Sequence, residues 1–241
     1  MALNSGIEWT EASWNPVTGC SKLSPGCLHC YAEKMAIRLQ AMGQKNYLNG
    51  FSVRCHNDSL LIPSSWRKPR MIFVNSMSDL FHDEVPDSFV QSVFSVMNDV
   101  PRHVYQVLTK RTSRLMEMGS ELVWGDNIWA GVSVEDSYHL FRVDHLRSVP
   151  CSVRFVSFEP LLGSVDSVDL SGIHWVIAGG ESGPGARSMS PAWVRRLRDI
   201  CIEQDVPFFF KQWGGVRKKA LGRELDGRFW DQMPRSIHTV S

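Results

Sequence analysis

The fold is decided by the stretch between residues 71 and 109, which reads MIFVNSMSDLFHDEVPDSFVQSVFSVMNDVPRHVYQVLT. The short apolar runs at its two ends, 71–75 and 103–109, are typical of buried strands, and residues 87–97 between them have the apolar spacing of a helix. A strand, a helix and a second strand in this order predict a βαβ unit, whose two strands run parallel.

The same alternation extends along most of the chain. Further strands are predicted at 127–134, 153–158, 174–178 and 206–211, and further helices at 31–42, 113–118, 137–147 and 192–204. Repeated βαβ units predict an α/β fold, a partial (β/α) TIM-like barrel of about six or seven parallel strands. We expect one barrel domain over 1–241, with 214–241 as a C-terminal extension that packs on the barrel.

Composition limits the class of protein. The chain has 241 residues, of which 43% are apolar, and its 26 basic and 25 acidic residues give a net charge of +1. This balance gives no global electrostatic argument for nucleic acid, although a local basic groove is compatible with it. No apolar run approaches the length of a membrane span, and the N-terminus lacks the features of a signal peptide, so we expect a soluble, cytoplasmic protein.

Polar or acidic side chains follow almost every predicted strand. In parallel sheets and barrels, the carboxyl ends of the strands line the binding site, so these residues are expected to share one pocket. The groups are 75–79, 109–111, 133–135, 157–160, 179–183 and 211–213.

Three cysteines, Cys20, Cys27 and Cys30, lie on a Gly- and Pro-containing loop. Soft thiolates bind iron–sulfur clusters or zinc, and a structural zinc site needs a fourth protein ligand. His29 or His56 would have to supply it, since the chain has no second CxxC pair. The missing ligand favours a cluster with one open iron. The scattered cysteines Cys55, Cys151 and Cys201 are expected to be small core residues.

The cysteine loop followed by a parallel αβ series resembles the radical S-adenosylmethionine (SAM) superfamily. Longer blocks are similar to a phage-associated and bacterial radical-SAM-like family of unknown function, described as three-Cys-motif or phage-protein-like: 7–10, 14–20, 73–81, 157–162, 175–183 and 208–214. The resemblance covers almost the whole chain. One departure is the gap between Cys20 and Cys27, which holds six residues where the superfamily usually has three. Its Pro25-Gly26 pair predicts a turn that folds the extra residues outward.

The resemblance implies a [4Fe–4S] cluster on Cys20, Cys27 and Cys30, with SAM on the open iron and a flavodoxin- or ferredoxin-type electron donor. Reductive cleavage of SAM would release a 5′-deoxyadenosyl radical that abstracts hydrogen from a substrate. The residues expected to contact SAM are Asn75, Ser76, Ser78, Asp79, Ser133, Glu135, Gly179 and Gly180. Of these, Ser76, Ser78 and Asp79 would bind the ammonium group. Ser133 and Glu135 would bind the ribose, and the two glycines would lie against the adenosyl group. Candidates for substrate contact or proton transfer are Glu159, Glu181, Lys110 and Lys211, with Glu159 paired to one of the two lysines.

The substrate is less well defined by the sequence. Two basic stretches, 195–198 and 217–228, include Arg195, Arg196, Arg198, Arg217, Lys218, Lys219, Arg223 and Arg228, and the second lies among Trp213, Phe229 and Trp230. Basic residues with aromatic neighbours are typical of single-strand or flipped-base binding, and also of an ordinary solvated surface. A nucleotide or nucleic acid is therefore one candidate substrate.

Two other functions stay open at this stage. One is a non-catalytic module, stabilised by an iron–sulfur cluster or zinc, that binds nucleic acid or a partner protein. The other is a metal-independent α/β-barrel enzyme that uses Glu159 and Glu181 as acid and base.

Overall fold

The computed structural model describes residues 5–217 and 220–234, and strands and helices alternate along the chain up to Gln212. The strands are β1 (Ala12–Trp14), β2 (Val17–Thr18), β3 (Arg54–Cys55), β4 (Met71–Val74), β5 (Val104–Thr109), β6 (Ile128–Ser133), β7 (Arg154–Phe158), β8 (Trp175–Gly179) and β9 (Phe208–Gln212). The α-helices are α1 (Tyr31–Ala41), α2 (Ile62–Ser65), α3 (Asp87–Asp99), α4 (Thr112–Gly119), α5 (Phe141–Arg147) and α6 (Pro191–Glu203).

Local sequence explains why the helices form where they do. In α3 the buried apolar residues, among them Phe89, Val93 and Met97, repeat every three or four positions and give one buried stripe. Helix α6 begins at Pro191, whose fixed φ suits a first helical position, and the side chain of Ser190 accepts a hydrogen bond from the Ala192 amide.

Seven strands form one parallel sheet in the order β1-β4-β5-β6-β7-β8-β9, curled into a half-barrel with β1 and β9 at its edges. This confirms the predicted partial barrel of parallel strands. Strand β1 was not predicted, because three residues give too short a pattern to recognise. Strands β2 and β3 form a separate antiparallel pair, in which Val17 lies opposite Cys55.

The two faces of the sheet bury different side chains. One face packs against the helices in the largest apolar cluster, which includes Val93, Leu115, Leu146 and Leu197. The other face carries an aromatic cluster without helical residues: Trp9, Phe73, Trp129, Phe155, Trp175 and Phe209. Because side chains alternate along a strand, β4 and each of the strands β6 to β9 supply buried residues to both clusters.

The long connection from β1 to β4 contains the cysteine loop and α1. This connection is fixed to the end of β4, since the amide of Gly19 donates to the Met77 carbonyl at 3.1 Å. The parallel order of β1 and β4 therefore places the three cysteines at the carboxyl edge of the sheet.

Residues 220–234 lie beside the edge strand β9. The Phe210 amide donates to the Trp230 carbonyl at 2.8 Å, and Phe209 forms an antiparallel bridge with Asp231. This pairing covers hydrogen-bonding groups that an edge strand would otherwise expose. In the described part of the chain, every helix is too short or too polar to cross a lipid bilayer.

Candidate functional site

A cavity of about 360 Å³ opens at the carboxyl edge of the parallel sheet, between the strand ends and the cysteine loop. Most residues that the sequence analysis selected line it: Cys20, Cys27, Cys30, Asn75, Ser76, Ser78, Asp79, Lys110, Ser133, Glu159, Gly180, Glu181 and Lys211. Glu135 and Gly179 are not among its lining residues. The topology thus brings side chains from six strand ends to one space.

The three loop cysteines lie on the cavity wall as free thiols. Burial, with a smaller contribution from the charge of Asp79, raises the pKa of the Cys20 thiol to about 11. Among the described residues, no group of three or more His, Cys, Asp or Glu side chains is arranged to hold a metal ion. What fits a cluster is the chemistry of the donors, since three soft sulfurs line one cavity.

The two histidines considered as a fourth ligand differ in position. His29 lines the cavity with the cysteines. His56 is buried away from it, where its Nε2 atom lies 2.8 Å from the hydroxyl of Thr18. Of the two, only His29 is near the cysteines.

Asn75 follows β4 in the left-handed region, with φ 61°, a conformation that asparagine tolerates better than most residues. Its Oδ1 atom accepts a hydrogen bond from the Val17 amide at 3.1 Å. Its Nδ2 atom is buried and has no hydrogen-bond partner among the described residues. A buried donor without a partner costs free energy, so Asn75 is suited to a ligand with an acceptor group, such as a carboxylate.

The other polar groups after β4 are already partly bonded. The carboxylate of Asp79 accepts hydrogen bonds from the Thr109 hydroxyl at 2.7 Å and the Lys110 amide at 3.1 Å. The hydroxyls of Ser76 and Ser78 donate to Asn15 Oδ1 and to the Val17 carbonyl. Their oxygens keep lone pairs that can accept from an ammonium group.

Glu159, at the end of β7, pairs with Lys211 of β9, one of the two lysines predicted as its partner. Lys211 Nζ lies 2.7 Å from Glu159 Oε1, and the Ser157 hydroxyl donates to Oε2 at 3.0 Å. Lys110 lines the cavity, and its ammonium group has no carboxylate partner within the described ranges.

The predicted role of Gly179 needs correction. A Cβ atom at Gly179 would lie 2.8 Å from Glu159 Oε1, and one at Gly180 would lie 2.0 Å from the Trp213 carbonyl oxygen. Both glycines therefore make room for protein atoms. Gly180 also lines the cavity, whereas Gly179 serves the approach of Glu159.

Glu181 is held by Arg187, a residue not predicted from the sequence to belong to the site. Arg187 donates to both carboxylate oxygens, at 2.6 Å and 2.9 Å, and its backbone amide donates as well. Burial by itself raises the pKa of Glu181, but the hydrogen bonds and charge of Arg187 outweigh it and hold the pKa below its ordinary value. A carboxylate fixed in this way is a poor acid or base, so the structure speaks against that predicted role.

Glu135 is also placed differently from the prediction. Its side chain is fully buried and accepts hydrogen bonds from the Ser24 hydroxyl at 2.5 Å and from Arg142 at 2.8 Å. Glu135 is buried and does not line the cavity, so in place of contact with a ribose it links the cysteine loop to the end of β6.

The basic stretches form contacts within the protein. Arg195 and Arg198 pair with Asp226, Arg196 pairs with Glu203, and Arg223 pairs with Asp231. The guanidinium of Arg228 lies 3.7 Å from the ring centre of Trp230. Lys218 and Lys219 lie outside the described residues. Four of the eight basic residues on which the nucleic-acid prediction rested thus pair with acidic side chains, which compensate part of their positive charge.

Comparison with known proteins gives a family. The curated proteins include no match to this chain. A solved structure of spore photoproduct lyase, complexed with dinucleoside spore photoproduct, is similar at TM-score 0.42 and 12% identity, covering 76% of this chain and 58% of the lyase chain. This chain therefore spans less than two thirds of the lyase. The model of a family described as "Protein of unknown function (DUF5131)" matches residues 4–234, nearly the full length, and the chain belongs to that family.

Proposed function

We propose that this protein is a radical SAM enzyme that holds a [4Fe–4S] cluster on Cys20, Cys27 and Cys30 and binds SAM in the adjoining cavity. The observation that carries the proposal is that all three thiols line the same cavity as the polar ends of the parallel strands. Soft sulfur donors and polar strand-end side chains thus line one cavity.

A cluster held by Cys20, Cys27 and Cys30 would supply one-electron chemistry. With an electron from the donor protein, the C5′–S bond of SAM would break to give methionine and a 5′-deoxyadenosyl radical, which would take a hydrogen atom from the substrate. The protein's own residues bind and orient. The unpartnered Nδ2 atom of Asn75 donates to the SAM carboxylate, and oxygens of Ser76, Ser78 and Asp79 accept from its ammonium. Apolar side chains on the cavity wall, among them Trp9 and Phe73, exclude water.

A nucleotide is the substrate that we favour. Lys110 offers the cavity a cation without a carboxylate partner in the described residues, which suits a phosphate, and aromatic rings line the same space. The arginines of the two basic stretches are largely engaged within the protein, which favours a single nucleotide over a strand. The proposed reaction also needs a flavodoxin- or ferredoxin-type electron donor.

Anaerobic purification followed by iron and sulfide analysis tests the proposal. We expect about four irons per chain, as a [4Fe–4S] cluster requires, and 5′-deoxyadenosine after reduction with SAM. Alanine at Cys20, Cys27 or Cys30 should abolish both iron binding and the formation of 5′-deoxyadenosine. Cys55→Ala is the matched control, because Cys55 is a free, partly exposed cysteine outside the cavity and should leave both unchanged.

Other outcomes would select the alternatives. One equivalent of zinc without iron would overturn the radical mechanism in favour of a metal-stabilised binding module. Activity retained by all three cysteine variants would favour metal-independent chemistry. To test the substrate, the binding affinities of nucleoside monophosphates and of single-stranded oligonucleotides are compared at increasing salt concentration. Steeply salt-dependent binding of the oligonucleotides alone would contradict the single-nucleotide proposal.

A further inference from the structure

Among the side chains that contact the six residues between Cys20 and Cys27, three come from the carboxyl edge of the parallel sheet. Arg111 donates to the Ser21 hydroxyl at 2.7 Å. Glu135 accepts from the Ser24 hydroxyl at 2.5 Å, and Arg187 donates to the Pro25 carbonyl at 2.8 Å. These residues follow β5, β6 and β8, so separate strands fix successive points of one loop.

Each of the two contacts nearest to Cys27 is itself supported. Glu135 is fully buried and receives Arg142 on its other oxygen, and Arg142 also donates to the Ser133 carbonyl. Arg187 is fixed through its two hydrogen bonds to Glu181. The groups that hold the loop therefore have little freedom to follow it if it moves.

The loop backbone lies directly against the Glu135 carboxylate. A Cβ atom at Gly26 would lie 2.5 Å from Glu135 Oε1 and 2.6 Å from its Cγ. Only a glycine allows this approach. The Ser24 hydroxyl, which donates to Glu135, also lies 3.8 Å from Cys27 Sγ, so this hydrogen bond is close to the sulfur.

We propose that Glu135 and Arg187 are positioning residues, which hold residues 24–26 so that Cys27 meets the same cluster as Cys20 and Cys30. This inference rests on the proposed function. It explains how the extended gap is accommodated: the additional residues are anchored to the barrel, which lowers the entropy that the loop would lose when the metal binds. Ser24 and Gly26 are the loop-side partners of Glu135.

The experiment uses Ser24→Ala and Gly26→Ala, which disturb the contact from the loop side without leaving a buried charge unpaired. Leu23→Ala is the control in the same loop, because Leu23 is about half exposed. In metal-free protein, hydrogen exchange measured by mass spectrometry reports on residues 21–30. In anaerobically reconstituted protein, iron retention against a chelator and the EPR spectrum of the reduced state report on the metal.

We expect both variants to exchange about tenfold faster than Leu23→Ala over residues 21–30, the change expected from losing one hydrogen bond to a charged group. Exchange in the sheet should not change. Both variants should lose iron faster and alter the EPR spectrum, and Ser24→Thr, which keeps the hydroxyl, should restore the wild-type values. Arg187→Met, combined with Glu181→Gln so that no buried carboxylate loses its cation, should behave like Ser24→Ala.

Exchange equal to that of Leu23→Ala would overturn the positioning role, whatever the iron content. Faster exchange with unchanged iron retention and EPR spectrum would overturn its connection to the metal. If wild-type protein takes up no iron, the proposed function itself fails, and the exchange data then show separately whether Glu135 and Arg187 hold the loop.

Discussion

Lys211 Nζ lies 2.7 Å from Glu159 Oε1, so an ion pair joins β9 to the end of β7 across the intervening strand β8. The pair passes over Gly179, the last residue of β8, where a side chain would collide with the Glu159 carboxylate. Both side chains are about 15% exposed, so water screens the pair only in part. One glycine thus permits an ion pair between strands that are not neighbours.

Replacing Lys211 by methionine should lower the free energy of unfolding by about 2 kcal/mol, because the partly buried Glu159 loses its cation. The double variant Glu159→Gln with Lys211→Met should lose less than the single one, since no charge is then left unpaired. Urea denaturation of the metal-free protein measures both values. Equal losses in the single and double variants would show that the ion pair itself is unimportant.

Gly179→Ala should destabilise the protein by about 1–3 kcal/mol, the usual cost of adding a methyl group to a filled space. The added Cβ would meet Glu159 at 2.8 Å. Gly6→Ala is the control, because its Cβ would have no atom within 4 Å and its stability should stay within about 0.5 kcal/mol of wild type. A tolerated Gly179→Ala would mean that Glu159 moves freely.

Asn75→Asp should weaken SAM binding to the cluster-loaded protein at least about tenfold, because a carboxylate replaces the donor proposed for the SAM carboxylate. The variant keeps the Oδ1 acceptor for the Val17 amide, so the fold should persist. Calorimetric titration with SAM measures the affinity. Asn49→Asp, at an exposed position outside the cavity, should bind SAM like wild type.

Stability should decline in mild acid through His103. Burial, the larger cause, and the nearby charges of Arg102 and Arg70 hold the pKa of His103 below its ordinary value. Below about pH 6.5 the unfolded chain therefore binds a proton that the folded chain does not, so the unfolding free energy falls as pH falls, by at most about 1.4 kcal/mol per pH unit for this group.

His103→Gln should reduce the amount by which the unfolding free energy falls per pH unit. Glutamine can still donate to the Pro63 carbonyl, which the Nε2 atom of His103 contacts at 3.0 Å. Denaturation at pH 8 and pH 5.5 gives the comparison, with pH 8 as the reference at which the histidine is neutral in both states. An unchanged slope would assign the acid sensitivity to other buried histidines.

Trp230→Ala should cost about 3–5 kcal/mol, because Trp230 is buried against Phe208 and its Nε1 atom donates to the Leu225 carbonyl. Phe229→Ala is the matched control next to it, and its side chain is 54% exposed. The free energy of unfolding of Phe229→Ala should differ little from that of the wild type. Thermal denaturation measures the stability of both variants, and a large loss of stability in both would contradict the described packing.

Much of the fold was predictable from local sequence. The apolar runs and helical spacings correspond to β4 to β9 and to the helices between them within one or two residues, except that α5 begins at Phe141, four residues after the predicted start. The agreement arises because these elements bury one consistent face. The order of strands and helices also predicted that polar strand ends would meet, since parallel strands share one carboxyl edge. Three-residue β1 had no such pattern.

The partners within the site were not predictable in the same way. A carboxylate after a strand has the same sequence signal whether it lines the cavity, as Asp79 does, or is buried away from it, as Glu135 is. Likewise Arg187 follows a Gly-Pro-Gly turn, with nothing in the sequence to show that it reaches both Glu181 and Pro25.

The sequence by itself determined the alternation of parallel strands and helices, and the three thiols on one loop, because both depend on neighbouring residues. The tertiary structure decided which charged groups pair with each other: Lys211 with Glu159, Arg187 with Glu181, and Glu135 with Ser24 of the cysteine loop. The reason is physical. Pairing depends on distances of a few ångströms between residues far apart in the chain, and those distances are set by how the strands curl and pack.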